Sequence, residues 1–104
     1  MRAFVLVEPK FFTPPEAFPS LLEGFAAWRE AHRESMESFE FFAGGGGGFG
    51  IFNEPDEATL NRIMVQNPFY PYSLITVRPI LDGDTALEQW REILSEGMGA
   101  GPAV

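Results

Sequence analysis

The sequence predicts an α+β fold of the ferredoxin-like kind, β-α-β-β-α-β with an extra C-terminal helix, and three observations carry that reading. The first is Asn67-Pro68-Phe69-Tyr70-Pro71-Tyr72, which runs into the apolar stretch Ser73-Leu74-Ile75-Thr76-Val77. Pro68 and Pro71 lack the backbone N–H and push the residue before each toward extended geometry, so a helix must stop and a strand begin there. The second is the glycine run Gly44 to Gly48 between two short aromatic strands, the pattern of a hairpin. The third is a pair of segments with helical periodicity, each lying between strands.

The elements follow in order. Ala3-Phe4-Val5-Leu6-Val7 is β-rich and nearly all apolar, as a central strand covered on both faces would be, and Pro9 closes it. Thr13-Pro14-Pro15-Glu16 has the spacing of a capping box with proline at the first helical position. Helical periodicity then extends to about Ser35, starting either with a short first turn or at Pro19. Phe18, Leu21, Leu22, Phe25, Arg29, His32 and Met36 form its stripe, with Ala27 and Trp28 off the edges. Phe39-Glu40-Phe41-Phe42 and Phe49-Gly50-Ile51-Phe52 are the hairpin strands. Asn53 or Glu54 caps the next helix, with Pro55 in its first turn, Asp56 and Glu57 near its positive end, and Leu60, Ile63 and Met64 on its buried face. Tyr72 to Ile80 is the fourth strand, ending near Pro79. Asp82-Gly83-Asp84 makes a turn and cap, and Leu87, Trp90, Ile93 and Leu94 mark a last amphipathic helix. The domain is read as residues 1–96, with 97–104 as a flexible tail rich in glycine.

Such an order gives a four-stranded antiparallel sheet with two helices on one face. The other face would be bare in a monomer, and the aromatic residues on the strands would make it a large apolar patch. Pairing two sheets into a dimeric α/β barrel resolves this, and the chain is expected to form a homodimer or higher homo-oligomer. The last helix would pack across the dimer or cap the open end of the sheet.

Composition narrows the function classes. The chain has 104 residues with 11 Phe, 2 Trp and 2 Tyr, and a formal net charge of -8. That balance argues against nucleic acid or an anionic membrane as partner, because both call for a basic surface. With 0 Cys there is no disulfide, thiolate nucleophile or cysteine metal site. One histidine and no close carboxylate pair give no case for a metal, and no cofactor is expected. No apolar run approaches the roughly 20 residues that span a bilayer, no signal peptide is visible, and the expected location is cytoplasmic.

The candidate chemistry lies on the first helix, the second strand and the proline-aromatic segment. His32 extends the stripe of the first helix one turn beyond Arg29. An imidazole there can shuttle a proton and a guanidinium can grip a carboxylate, or else His32 caps the helix and Arg29 pairs with Glu30 or Glu40. Tyr70 and Tyr72 can donate to a developing oxyanion, or pack at the helix-to-strand corner or a dimer interface. Glu40 is a general base if it points inward and a charged edge residue if it does not. Phe25, Trp28 and Arg78 complete the expected substrate-binding set. The glycines join strand to strand and lack a following Lys-Ser or Lys-Thr, so they read as a hairpin tip, or a lid, and not as a phosphate loop.

On Gly45-Gly46-Gly47-Gly48-Phe49-Gly50-Ile51-Phe52, the helix Pro55 to Gln66, and the Pro68-Phe69-Tyr70-Pro71-Tyr72 signature, the chain resembles the muconolactone isomerase-like group of small dimeric α/β-barrel proteins, related to the YCII-type domains. The resemblance covers residues 1–80. The His/Asp pairing of the YCII-type domains has no counterpart, since His32 has no aspartate at a partnering place. The resemblance implies a cofactor-independent isomerase or lyase moving a proton on a small apolar or aromatic carboxylate or lactone-like molecule. It carries over no catalytic position residue by residue. The reading of the residues themselves gives His32, Glu40 and Tyr72 as the catalytic candidates, with Arg29, Trp28, Phe25, Tyr70 and Arg78 for substrate binding. The alternatives are a non-catalytic dimeric barrel that binds a small ligand or partner, and a cofactor-free oxygenase.

Overall fold

The computed structural model describes residues 1–97. Four strands, β1 (Arg2–Pro9), β2 (Met36–Phe41), β3 (Gly48–Asn53) and β4 (Ser73–Pro79), and three helices, α1 (Phe18–Ala31), α2 (Glu57–Val65) and α3 (Gly83–Ser95), follow the expected order. The sheet runs β2-β3-β1-β4 with every pairing antiparallel. Its two crossovers, through α1 and α2, are those of the split βαβ arrangement. Most of the expected tail, from residue 98 on, lies outside the described residues.

Alternation along the strands separates two faces. Ala3, Val5 and Val7 of β1 and Phe52 of β3 point toward α1 and α2 and are buried with Phe25, Trp28, Phe39, Leu60, Ile63 and Met64. Residues directly opposite in an antiparallel pair share a face. Phe4 pairs with Ile51 and Arg78, Leu6 with Phe49 and Thr76, and Glu40 with Phe49. These side chains form the outer face, where Phe4, Leu6, Phe49 and Ile51 are only half-buried. Phe49 stacks on Phe4 at 5.9 Å and meets Phe42 at 5.7 Å, so a row of rings crosses three chain segments.

Neither face is covered by α3. Its stripe is exposed, Leu87 at 45%, Trp90 at 63%, Ile93 at 42% and Leu94 at 59%. The molecule measures 61 × 25 × 24 Å. Its radius of gyration is 18.1 Å, against about 13 Å for a compact chain of this length. The amphipathic pattern of α3 is therefore present with nothing among the described residues to bury it.

Several local expectations are corrected. Trp28 does not lie off the edge of the α1 stripe: it is 6% exposed, in the core. Residues 21, 25, 28 and 32 follow three- and four-residue steps as well as the expected set passing through Arg29 does, and the sheet selects between them. The Thr13 capping box does not form. A 3₁₀ turn at Pro15–Ala17, without a side-chain cap, leads into α1 instead, and another at Arg33–Ser35 ends the helical region before β2. Asp56, and not Asn53 or Glu54, caps α2, its Oδ1 accepting from the Thr59 N–H at 2.8 Å. Asn53 is already committed to the sheet, paired with Arg2 and donating to Glu37 at 2.7 Å. Asp82 caps α3 through the Thr85 N–H at 3.0 Å, as expected.

Candidate functional site

The N-terminal half of α1, the hairpin and the proline-aromatic segment line an open cavity of about 410 Å³, with Phe18, Leu22 and Phe41 exposed at its mouth. Its walls are Phe18, Leu22 and Phe25 from α1, Phe39 and Phe41 from β2, and Phe69 before β4. Phe25 holds the cluster together, with ring centroids 5.7 Å from Phe39, 5.6 Å from Phe41 and 5.9 Å from Phe69. The rings converge because β2 sends Phe39 and Phe41 to the helix side and alternation sends Glu40 to the other.

One wall is backbone. Gly44, Gly45, Gly46 and Gly47 all have φ between 85° and 95°, a left-handed run that side chains would resist. A Cβ on Gly47 would collide with the Val7 carbonyl oxygen, so the loop passes directly over the end of β1. Gly45 to Gly48 line the cavity, consistent with a cover over it.

The polar groups at the cavity are few. Tyr72, Ser73 and Thr13 reach its edge, and Asn67 sits in its wall at 2% exposure. Pro68 following Asn67 cannot donate, and the Asn67 Oδ1 instead accepts from the Phe69 N–H at 3.0 Å, an Asx turn across the proline. Gly24 on α1 lets this turn approach: a Cβ there would lie 3.0 Å from Pro68 Cγ. None of the lining side chains carries a charge.

Of the expected site residues, Phe25 and Tyr72 stand at this cavity. His32 caps the other end of α1, seven residues and about 10 Å along the axis from Phe25. Its Nε2 is 3.1 Å from Gln66 Oε1 and its ring lies 5.7 Å from Trp28. Trp28 donates its indole N–H to the Ile63 carbonyl at 2.9 Å inside the core. Arg29 donates to the Phe39 carbonyl at 3.3 Å and shares a small cleft of about 200 Å³ with Glu40 at the β2 edge. Tyr70 faces a separate groove of about 520 Å³ between α2 and β4. Arg78 is exposed, on the outer sheet face opposite Phe4. His32, Arg29, Glu40 and the two tyrosines thus do not converge on one cavity within a single chain.

Sequence reading marks Asn67 only as a helix stop. Its signal is the Asn-Pro step itself, which frees the asparagine side chain to bond the second residue on. Among the described residues no three His, Cys, Asp or Glu side chains are grouped to hold a metal, and no helix is long and apolar enough to cross a membrane.

No family model matches the chain, and no curated protein matches it. Among solved structures it is similar to a muconolactone isomerase, with 21% identity and a TM-score of 0.70, over 79% of this chain and 90% of that one. It is also similar to the 5-chloro-2-hydroxyhydroquinone dehydrochlorinase TftG from Burkholderia phenoliruptrix, solved in complex with 2,5-dihydroxybenzoquinone. There the identity is 14% and the TM-score 0.60, over 82% of this chain and 98% of that one. At such identities the likeness is one of fold, and it agrees with the architecture expected from the sequence.

Proposed function

We propose that this protein binds a compact, ring-bearing small molecule in the cavity beneath the glycine loop, within a homodimer formed through the outer sheet face. The observation that carries the reading is the cavity itself: five phenylalanines and a glycine backbone line an open volume suited to one small ligand. Its walls favour flat, apolar faces over charged groups, since no cation lines it to pair with a carboxylate.

A second reading is a cofactor-independent isomerase or lyase working by proton transfer, and the fold likeness to two enzymes, an isomerase and a dehydrochlorinase, favours it. In that reading the Tyr72 hydroxyl at the cavity stabilises developing negative charge. The proton-transfer candidates of that reading are His32 and Glu40, neither of which lines the cavity of its own chain.

Titration of the protein with small aromatic ketones, quinones and unsaturated lactones, followed by amide chemical shifts, separates the readings. Binding beneath the loop perturbs Gly45 to Gly48 and Phe25, and Phe41→Trp, which fills the cavity, abolishes it. Perturbations confined to the α2–β4 groove would refute the assignment. Turnover of a lactone that falls in His32→Ala, Glu40→Gln or Tyr72→Phe supports catalysis, and binding without turnover supports the first reading.

A further inference from the structure

Asn67 is the most deeply buried polar side chain of the described core, at 2% exposure. Its two ends are in different situations. Oδ1 is fixed by the Phe69 N–H at 3.0 Å, and this contact also assigns which end of the amide is oxygen. The Nδ2 group, with two N–H donors, has no acceptor within hydrogen-bond reach among the described residues. It is not sealed in either, because the described residues hold no fully occluded side-chain nitrogen or oxygen lacking a partner. A buried amide that is neither bonded nor occluded must open onto a space, and the space Asn67 lines is the phenylalanine cavity.

A donor left open in an apolar cavity is costly when an apolar ligand covers it and satisfied when the ligand brings an acceptor. Thr13 and Tyr72, at the same cavity, are only half-buried, so water competes with a ligand for their hydroxyls and they discriminate less than Asn67. We infer that Asn67 is the specificity-determining residue of this cavity, its amide nitrogen donating to a carbonyl-type oxygen on an otherwise apolar, planar ligand. Resting on the binding role proposed for the cavity, this narrows the ligand class to ketones, quinones, lactones and similar neutral carbonyl compounds. The Asx turn holds the donor in place before the ligand arrives, so little ordering is lost on binding.

Acetophenone and α-methylstyrene have nearly the same shape and differ by a carbonyl oxygen against a methylene, and their affinities measured by calorimetry test the assignment. The wild-type protein should bind the ketone about tenfold tighter, the factor one buried hydrogen bond confers. In Asn67→Asp the acceptor for the Phe69 N–H is kept while the donor is lost, and the preference should vanish or reverse. Asn67→Ala, which also removes the donor, gives the comparison if the aspartate variant fails to fold. On the wild-type protein alone, the Asn67 side-chain amide resonances should move downfield with the ketone and not with the alkene. Equal affinity for both probes, or a preference unchanged in the variants, overturns the role of Asn67 while leaving the cavity a binding site. Failure of both probes to bind overturns the cavity reading and this inference together.

Discussion

The Trp28 indole N–H donates to the carbonyl oxygen of Ile63 at 2.9 Å, tying α1 to α2 across the core. Both residues are 6% exposed, and the Trp28 ring also meets Phe39 edge-on at 6.1 Å. Trp28→Phe keeps an aromatic ring and removes the donor. The Ile63 carbonyl still accepts from the Gln66 N–H at 3.2 Å, so it is not orphaned. The loss should be about 2 kcal/mol, one hydrogen bond plus some packing, read from the urea midpoint at unchanged slope.

The glycine loop gives a graded test. A Cβ at Gly45 meets nothing within 4 Å but sits at φ 88°, whereas at Gly47, φ 95°, it also meets the Val7 backbone. Gly45→Ala should cost about 1–2 kcal/mol of left-handed strain. Gly47→Ala should lose a further ~1–3 kcal/mol through overpacking against β1. Equal midpoints for the two variants in denaturant melts would show that the loop does not press on β1.

Most of the fold is legible in the sequence because its signals are local. Pro68 stops α2 as expected, and the glycines mark the hairpin locally. Pro71, by contrast, lies inside a 3₁₀ turn, Tyr70–Tyr72, so Tyr70 is not extended and β4 begins only at Ser73. The site is less legible because it depends on which of two overlapping helical stripes the sheet selects. Phe25 belongs to both, so either choice finds it. Trp28 belongs to the one ending on His32, and that choice sends Trp28 into the core. Asn67 does not stand out as a site residue because a helix stop and a cavity donor share the same Asn-Pro step, and only burial distinguishes them. A bulge on β2 also lacks any sequence mark: Met36 pairs with Phe52 and Ser38 with Ile51, leaving Glu37 unpaired in the ladder and free to meet Arg2.

That released carboxylate gives a pH prediction. Glu37 accepts from Arg2 Nε at 2.5 Å and from Asn53 at 2.7 Å. These hydrogen bonds, Arg2's foremost, lower its pKa from 4.5 to about 2. A carboxyl with a depressed folded-state pKa stabilises the fold above its unfolded value, and the contribution is lost as pH falls through the folded one. Wild-type melting temperature should therefore fall more steeply between about pH 5 and 2 than that of Glu37→Gln, the curves converging at the acid end. The pair is exposed, so added salt should shrink the difference. Parallel curves in circular-dichroism melts would exclude Glu37 from the acid transition.

The outer face of the sheet carries the remaining prediction. Phe42, Phe49 and Phe4 form a continuous row of rings, with Leu6 and Ile51 beside it, and α1 and α2 lie on the opposite face. A row of that kind on a wet surface favours association, and Glu40, Thr76 and Arg78 around it supply a polar rim. A second copy is the partner that meets it with a matching row about a two-fold axis. Phe49→Asp places a charge at the centre of the row without touching the buried face, so the strand content and helix packing should persist. In sedimentation velocity at micromolar concentration the wild type should run at twice the chain mass and Phe49→Asp at the chain mass. Leu87→Asp puts the same charge on the exposed stripe of α3 and tests whether that helix contributes to the assembly. Loss of the dimer there as well would place α3 in the interface, and its survival would leave the sheet face to hold the pair alone.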